Sequence, residues 1–122
     1  MCGIAGYIGR QPLGEAPVRE TLERMKRRGP DHQAAVRLKL GDATVCLLHS
    51  RLSIIDLEGR SDQPFQIGDH TIVFNGEIYN YVELRKELEA AGEIFSTQSD
   101  TEVLLRSYIR AGAACVEKME GM

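Results

Sequence analysis

The opening stretch, Met1-Cys2-Gly3-Ile4-Ala5-Gly6-Tyr7-Ile8-Gly9, constrains the fold more than any other part of the chain. Ile4 and Ile8 bring β-branched bulk, so residues 2–9 read as a strand. Gly3, Gly6 and Gly9 carry no side chain and permit close approach of another backbone or a ligand. The glycine spacing lacks the Lys-Ser/Thr ending of a phosphate-binding loop. Cys2 adds chemistry to this strand. A Met followed by a small residue is readily removed, and its removal leaves a thiol and a free α-amine on Cys2. Unperturbed, those groups titrate near 8.5 and about 8. One residue then supplies a nucleophile and the base that activates it, as an N-terminal Thr does with its own amine. A lone cysteine is also an ordinary small core residue, so the rest of the chain decides between the two.

At 122 residues, 43% apolar, 27% charged and with net charge −3, the chain makes one soluble globular domain at most. That balance calls for no nucleic acid and no anionic membrane. The basic cluster Arg24-Met25-Lys26-Arg27-Arg28 has no interleaved aromatics and suits the C-terminal end of a helix. No apolar run reaches the length of a membrane span, and the start lacks the layout of a secretory signal. Cys2, Cys46 and Cys115 are odd in number and far apart, with no Cys-x-x-Cys pair. They suggest neither a disulfide framework nor a metal site, and fit a cytoplasmic compartment where a thiol stays reduced. Cys46 reads as a buried filler.

Pro17 suits the first turn of a helix whose apolar stripe is Val18, Leu22 and Met25, stopped by Arg28-Gly29-Pro30-Asp31 with Gly29 as the C-terminal cap. His32, in the following loop, has no assigned role. Val36, Leu38 and Leu40 alternate with polar residues, as do Val45, Leu47 and His49, predicting a hairpin that turns at Gly41-Asp42. Residues 51–56 read as a short extended segment and 58–70 as a loop. Thr71–Phe74 reads as a buried strand ending in a tight turn at Asn75-Gly76. Asn80 and Ser99 each head a capping box and a helix, the first ending at Gly92 and the second carrying Val103, Leu104 and Tyr108. Residues 113–122 read as a short helical or frayed tail.

Cys2, Arg51, Asn75-Gly76 and Asp100 make chemical sense together. A thiol with its own amine suits attack on an amide carbonyl. The tetrahedral intermediate needs two donors, and Asn75 Nδ2 with the Gly76 N–H is a natural pair. The planar fork of Arg51 suits a free carboxylate. Asp100, with Glu77 nearby in sequence, suits a free ammonium. The implied substrate is an α-amino acid with a side-chain amide. Each residue also has a plainer reading: Asn-Gly is a turn signal, and Asp100 is a good first-turn residue.

Five blocks appear in order: Cys2-Gly3-Ile4-x-Gly6, Arg28-Gly29-Pro30-Asp31, His49-x-Arg51-Leu52-Ser53-Ile54-Ile55-Asp56, Asn75-Gly76-Glu77-Ile78-Tyr79-Asn80 and Ser99-Asp100-Thr101-Glu102. Together they resemble the class II, N-terminal-nucleophile glutamine amidotransferase domain, above all the glutaminase part of glutamine-hydrolysing asparagine synthetases. The resemblance spans residues 1–122, read as the N-terminal portion of such a domain without its synthetase domain. It implies an α+β fold of the αββα sandwich type. It implies an enzyme in which Cys2 attacks L-glutamine, with Asn75 and Gly76 as oxyanion hole and Arg51 on the α-carboxylate. Asp100, with Glu77, takes the α-ammonium. Leu52, Ser53, Ile54 and Ile55 line the pocket, Ile54 and Ile55 through backbone groups. No metal and no cofactor are implied for this step; ATP and Mg belong to the absent synthetase, the partner that would receive ammonia for asparagine synthesis.

The same resemblance implies a chain truncated at its C-terminal side. Missing strands would leave apolar sheet surface and unpaired edges in water, predicting low stability or self-association into a homo-oligomer. Three functional classes follow: the glutaminase itself, serving asparagine synthesis or another acceptor; a glutamine-binding remnant that keeps Met1 or lacks turnover; and an N-terminal-nucleophile hydrolase acting on peptides. The third has no use for an Arg51–Asp100 pair that grips both ends of a free amino acid.

Overall fold

The alternation around Gly41-Asp42 folds as a hairpin longer than its hydrophobic pattern. In the computed structural model, which describes residues 2–122, β2 (His32–Leu40) and β3 (Ala43–Arg51) pair antiparallel from His32 opposite Arg51 to Leu40 opposite Ala43. Gly41, at φ 58°, supplies the left-handed backbone of the turn. The expected strand at the start is β1 (Gly3–Gly9), which pairs with the other side of β3, Gly3 opposite Ser50. The order is β1-β3-β2, with β3 at the centre. Met1, on which the expected processing turns, lies outside the described residues.

This sheet belongs to the first of two units, formed by the chain up to Ser53 with Asp62–Pro64 and Val73–Asn75. α1 (Glu15–Met25) covers one face of it. Val18, Leu22 and Met25 pack with Ala5, Tyr7, Ala35, Cys46 and Leu48, so the predicted stripe is the one that is buried. Side chains along a strand alternate between faces. Cys46 and Leu48 therefore build this core while His49 and Arg51 project from the other face. Ile4 and Ile8 lie on that other face too, 47% and 66% exposed.

The Arg28–Asp31 block does not cap α1. The helix ends at Met25 with Lys26 as its cap, and Gly29 is not among the glycines with positive φ. Gly29 is needed for another reason: a Cβ there would overlap the backbone of Ser50 and Arg51.

The second unit comprises Ile54–Ser61, Phe65–Ile72 and Gly76–Met122. The stretch expected as a loop contains a short hairpin, β4 (Phe65–Ile67) and β5 (His70–Ile72), turning at Gly68, φ 55°. The strand expected over Thr71–Phe74 thus ends at Ile72. α2 (Tyr81–Ala90) and α3 (Asp100–Ala111) follow. Gly92 ends α2 with φ 96°, as expected. Ser99 caps α3, its side chain accepting the Glu102 N–H. Asn80 makes no side-chain cap. Its Nδ2 donates to the Lys118 carbonyl at 2.9 Å, and its Oδ1 accepts the Glu120 N–H at 3.0 Å. The expected stripe on α3 also shifts: Val103 and Leu105 are buried, while Tyr108 is 48% exposed. The tail forms a 3₁₀ helix (Gly112–Lys118), and Gly121 then pairs antiparallel with Ile78. Antiparallel sheets and helices make the chain α+β, compatible with the expected sandwich.

Candidate active site

Arg51 ends β3 on the face away from α1. Its guanidinium is 6% exposed, and Nη1 donates to Asp62 Oδ1 at 2.7 Å. A buried cation requires such a partner, and Asp62 fixes the fork in place. His32 joins it, with Nε2 3.6 Å from the other Asp62 oxygen.

The backbone around Arg51 is held by the Arg28–Asp31 block. The Asp31 N–H donates to the Arg51 carbonyl at 3.0 Å, and Asp31 Oδ2 accepts the Ser53 N–H at 2.7 Å. Ser50 Oγ donates to the Gly29 carbonyl at 2.7 Å. The Ser53 N–H, on the expected pocket wall, is therefore already committed to Asp31.

Cys2 meets this segment. Its Sγ accepts the Leu52 N–H at 3.4 Å and lies 3.6 Å from the Leu52 carbonyl. Arg28 Nε donates to the Cys2 carbonyl at 3.2 Å. Two predicted site residues, Cys2 and Leu52, are thus in direct contact, next to Arg51 in sequence. The thiol is half-buried, whereas Cys46 and Cys115 are buried.

Asn75 and Gly76 do not form the expected tight turn. Neither has the positive φ that a two-residue Asn-Gly hairpin turn demands. In the second unit, the residues after Gly76 are held by backbone pairing: the Glu77 N–H donates to the Met122 carbonyl at 2.9 Å and the Met122 N–H to Glu77 at 3.0 Å.

Asp100, at the first turn of α3, is buried at 6% exposure, and its Oδ2 accepts the Ile78 N–H at 3.1 Å. Burial raises its carboxyl above the ordinary value of 3.8, the Ile78 N–H opposes this, and Glu77 adds to it. A buried carboxylate beside a second one is a natural partner for an ammonium. Glu77 thus lies near enough for its charge to act on Asp100.

Sequence reading missed four residues. Asp62 looked like loop, and His49 like one more member of an alternating strand. Gln63 gave no signal. Asp56 takes φ 50° and sends a carboxylate, 2% exposed, to the Gln98 N–H at 2.6 Å and to Arg60 at 3.1 Å. Burial alone would raise this carboxyl, but the Gln98 N–H and Arg60 outweigh it and lower it to about 2. Gln98 lies two residues before Asp100, and the loop behind it is gripped again by Glu102, which accepts the N–H groups of Ser96 and Thr97. Ile54 and Ile55 precede Asp56 in the same unit, Ile54 with its side chain 58% exposed.

A cavity of about 500 Å³ opens elsewhere in the second unit, lined by Leu84, Leu88, Ser107, Arg110 and Cys115. It contains none of the predicted site residues, and burial pushes the Cys115 thiol up, so we place no chemistry there. Among the described residues no three His, Cys, Asp or Glu side chains are grouped to hold a metal ion, and no helix is long and apolar enough to cross a membrane.

In the first unit a thiol at the start of a strand contacts the segment that follows a buried guanidinium; in the second a buried carboxylate opens a helix. The chain matches the glutamine amidotransferase domain family over residues 1–122 and belongs to it. Among its relatives, asparagine synthetase [glutamine-hydrolyzing] 1 of Bacillus subtilis is 43% identical over 129 residues, covering all of this chain and 20% of the relative. Asparagine synthetase [glutamine-hydrolyzing] 3 of the same organism is 41% identical, with the same coverage. The putative asparagine synthetase [glutamine-hydrolyzing] 2 of Methanocaldococcus jannaschii is 34% identical over all of this chain and 26% of its own length. The chain therefore spans about a fifth to a quarter of these relatives.

Proposed function

We propose that this chain hydrolyses L-glutamine to glutamate and ammonia through a thioester on Cys2, as the N-terminal part of an N-terminal-nucleophile sandwich domain. The observation that carries the reading is the contact of Cys2 Sγ with the Leu52 peptide, one residue from the buried Arg51. With Met1 removed, the Cys2 amine takes the thiol proton as Sγ attacks the carboxamide carbon. Asn75 Nδ2 and the Gly76 N–H would receive the developing oxyanion. The C–N bond then breaks, the proton passes to the leaving nitrogen, and ammonia departs from a γ-glutamyl thioester. Water adds to the thioester carbonyl, giving its proton back to the amine, and the C–S bond breaks to release glutamate and the thiol.

Arg51 would take the α-carboxylate and Asp100, with Glu77, the α-ammonium. This chemistry draws its nucleophile, base and oxyanion donors from the protein and needs no metal or cofactor. The ammonia would pass to a synthetase domain or subunit that makes asparagine from aspartate and ATP, in the cytoplasm. That acceptor is inferred from the names of the relatives. The test is glutamate release by the processed chain. Activity lost in Cys2→Ala supports the reading; activity that survives Cys2→Ala contradicts it. Absence of turnover in the processed parent chain would favour a glutamine-binding remnant.

A further inference from the structure

His49 sits in the central strand, paired to Ile4 of β1 and Ala34 of β2, and is fully buried. Its Nε2 lies 3.3 Å from the Phe74 carbonyl. A carbonyl only accepts, so Nε2 carries the proton. On the other side of the same residue, the Phe74 N–H donates to Gln63 Oε1 at 2.6 Å, and Gln63 is itself buried at 6% exposure. Phe74 lies beyond the end of β5, in a stretch with neither strand nor helix to satisfy its backbone. The Phe74 carbonyl belongs to the peptide plane that contains the Asn75 nitrogen. Gln63 thus fixes the plane before Phe74 and His49 the plane after it, which sets where Asn75 begins.

We infer that His49 and Gln63 are positioning residues that grip the Phe74 peptide and so hold Asn75 in place for the oxyanion of the glutaminase reaction. The inference rests on the proposed function for the role of Asn75, but the clamp itself is a property of the fold. His49 Nδ1 is buried without a partner. An orphaned buried nitrogen is destabilising, so a residue chosen for packing alone would not be an imidazole. Burial holds the ring below its ordinary value, the Phe74 bond opposes this, Arg51 and His32 push the same way as burial, and Asp62 raises it. At neutral pH the ring is therefore neutral, with its single N–H on the Phe74 carbonyl.

Two measurements test this, one of them independent of catalysis. Amide hydrogen exchange on the full chain should show Phe74 exchanging at least tenfold faster in Gln63→Met, and the Phe74–Asn75 segment faster in His49→Leu. Cys46, in the middle of β3, should keep its protection. Unchanged exchange in that segment overturns the clamp whether or not the chain turns over glutamine. In the kinetic arm, His49→Leu should lower kcat for glutamine roughly tenfold to a hundredfold, less than the loss of an oxyanion donor outright, with KM little changed. Alkylation of Cys2 by iodoacetamide forms no tetrahedral intermediate and should keep its rate. His49→Gln, which returns an N–H at similar reach, should recover most of kcat, and His49→Leu should have no further effect in Asn75→Ala. Activity lost in Cys2→Ala with kcat intact in His49→Leu overturns the clamp alone. A rise in KM together with a fall in alkylation rate and in Cys46 protection would show His49 to be merely structural and would also overturn it.

Discussion

Arg51 Nη1 and Asp62 Oδ1 lie 2.7 Å apart, with the guanidinium buried and the carboxylate about a quarter exposed. This pair sets the orientation of the fork before any substrate arrives. Breaking a buried pair from one side leaves an uncompensated charge and typically costs 3–5 kcal/mol. Because Asp62 keeps part of its surface in water, Asp62→Ala should cost less, about 2–3 kcal/mol on the same scale, read from urea unfolding. Arg51→Lys keeps the charge but not the fork. It should raise KM for glutamine roughly tenfold to a hundredfold, the equivalent of one lost charge-assisted hydrogen bond.

On the proposed role of Asp100 at the α-ammonium, glutamine binding should be pH-dependent. Its folded carboxyl is raised by burial, so the unliganded fold binds more protons than the unfolded chain between 3.8 and that raised value. Through this group, stability rises as pH falls across that window. An ammonium on Asp100 reverses the shift, so binding should release protons at mildly acid pH. Calorimetry of glutamine binding to Cys2→Ala in two buffers of different ionisation enthalpy checks this. Asp100→Asn should abolish the proton release and raise KM at least tenfold.

Asp56 should act in the opposite direction. Its carboxyl is lowered to about 2, so its contribution to stability is complete above 3.8 and is lost as pH falls through about 2. Asp56→Asn keeps an acceptor for Gln98 and tolerates left-handed backbone. Asp56→Ala does neither, and should cost about 2–3 kcal/mol from a lost charged hydrogen bond with added backbone strain. Thermal melts of the two variants at pH 7 should separate them, with Asn the milder.

Gly29→Ala should be as damaging as a core change, since Gly29 is buried just beyond the turn that follows α1. Its Cβ would press on the Ser50 and Arg51 backbone, and overpacking of this kind costs about 1–3 kcal/mol. Since Arg51 moves with that backbone, KM should rise as well. A Gly29→Ala variant with parental stability and KM would show that the block does not position Arg51.

Local pattern made the central strands legible. Alternation located β2 and β3, and the Gly41 turn follows from residue chemistry alone. The same alternation hides His49, because a strand position reads identically whether it packs a core or grips a distant carbonyl. Gly29 looked like a helix cap because a cap is a local device, whereas its real constraint comes from Ser50, 21 residues away. Asn80 was drawn from its cap by the backbone at 118–120. Asn75-Gly76 looked like a turn for the same reason: no window of a few residues contains Gln63, His49 or Met122. The candidate chemical residues are proposed from their types and order, whereas the residues that hold their backbone became visible only in the fold.

The most direct test of the account is the intact mass of the chain before and after an electrophilic glutamine analogue, followed by peptide mapping. Loss of Met1 and a single adduct on Cys2, competed by L-glutamine and absent in Arg51→Ala, is the predicted result. A processed chain that takes no adduct, or takes it on Cys46 or Cys115, would contradict the assignment of Cys2 as the glutaminase nucleophile.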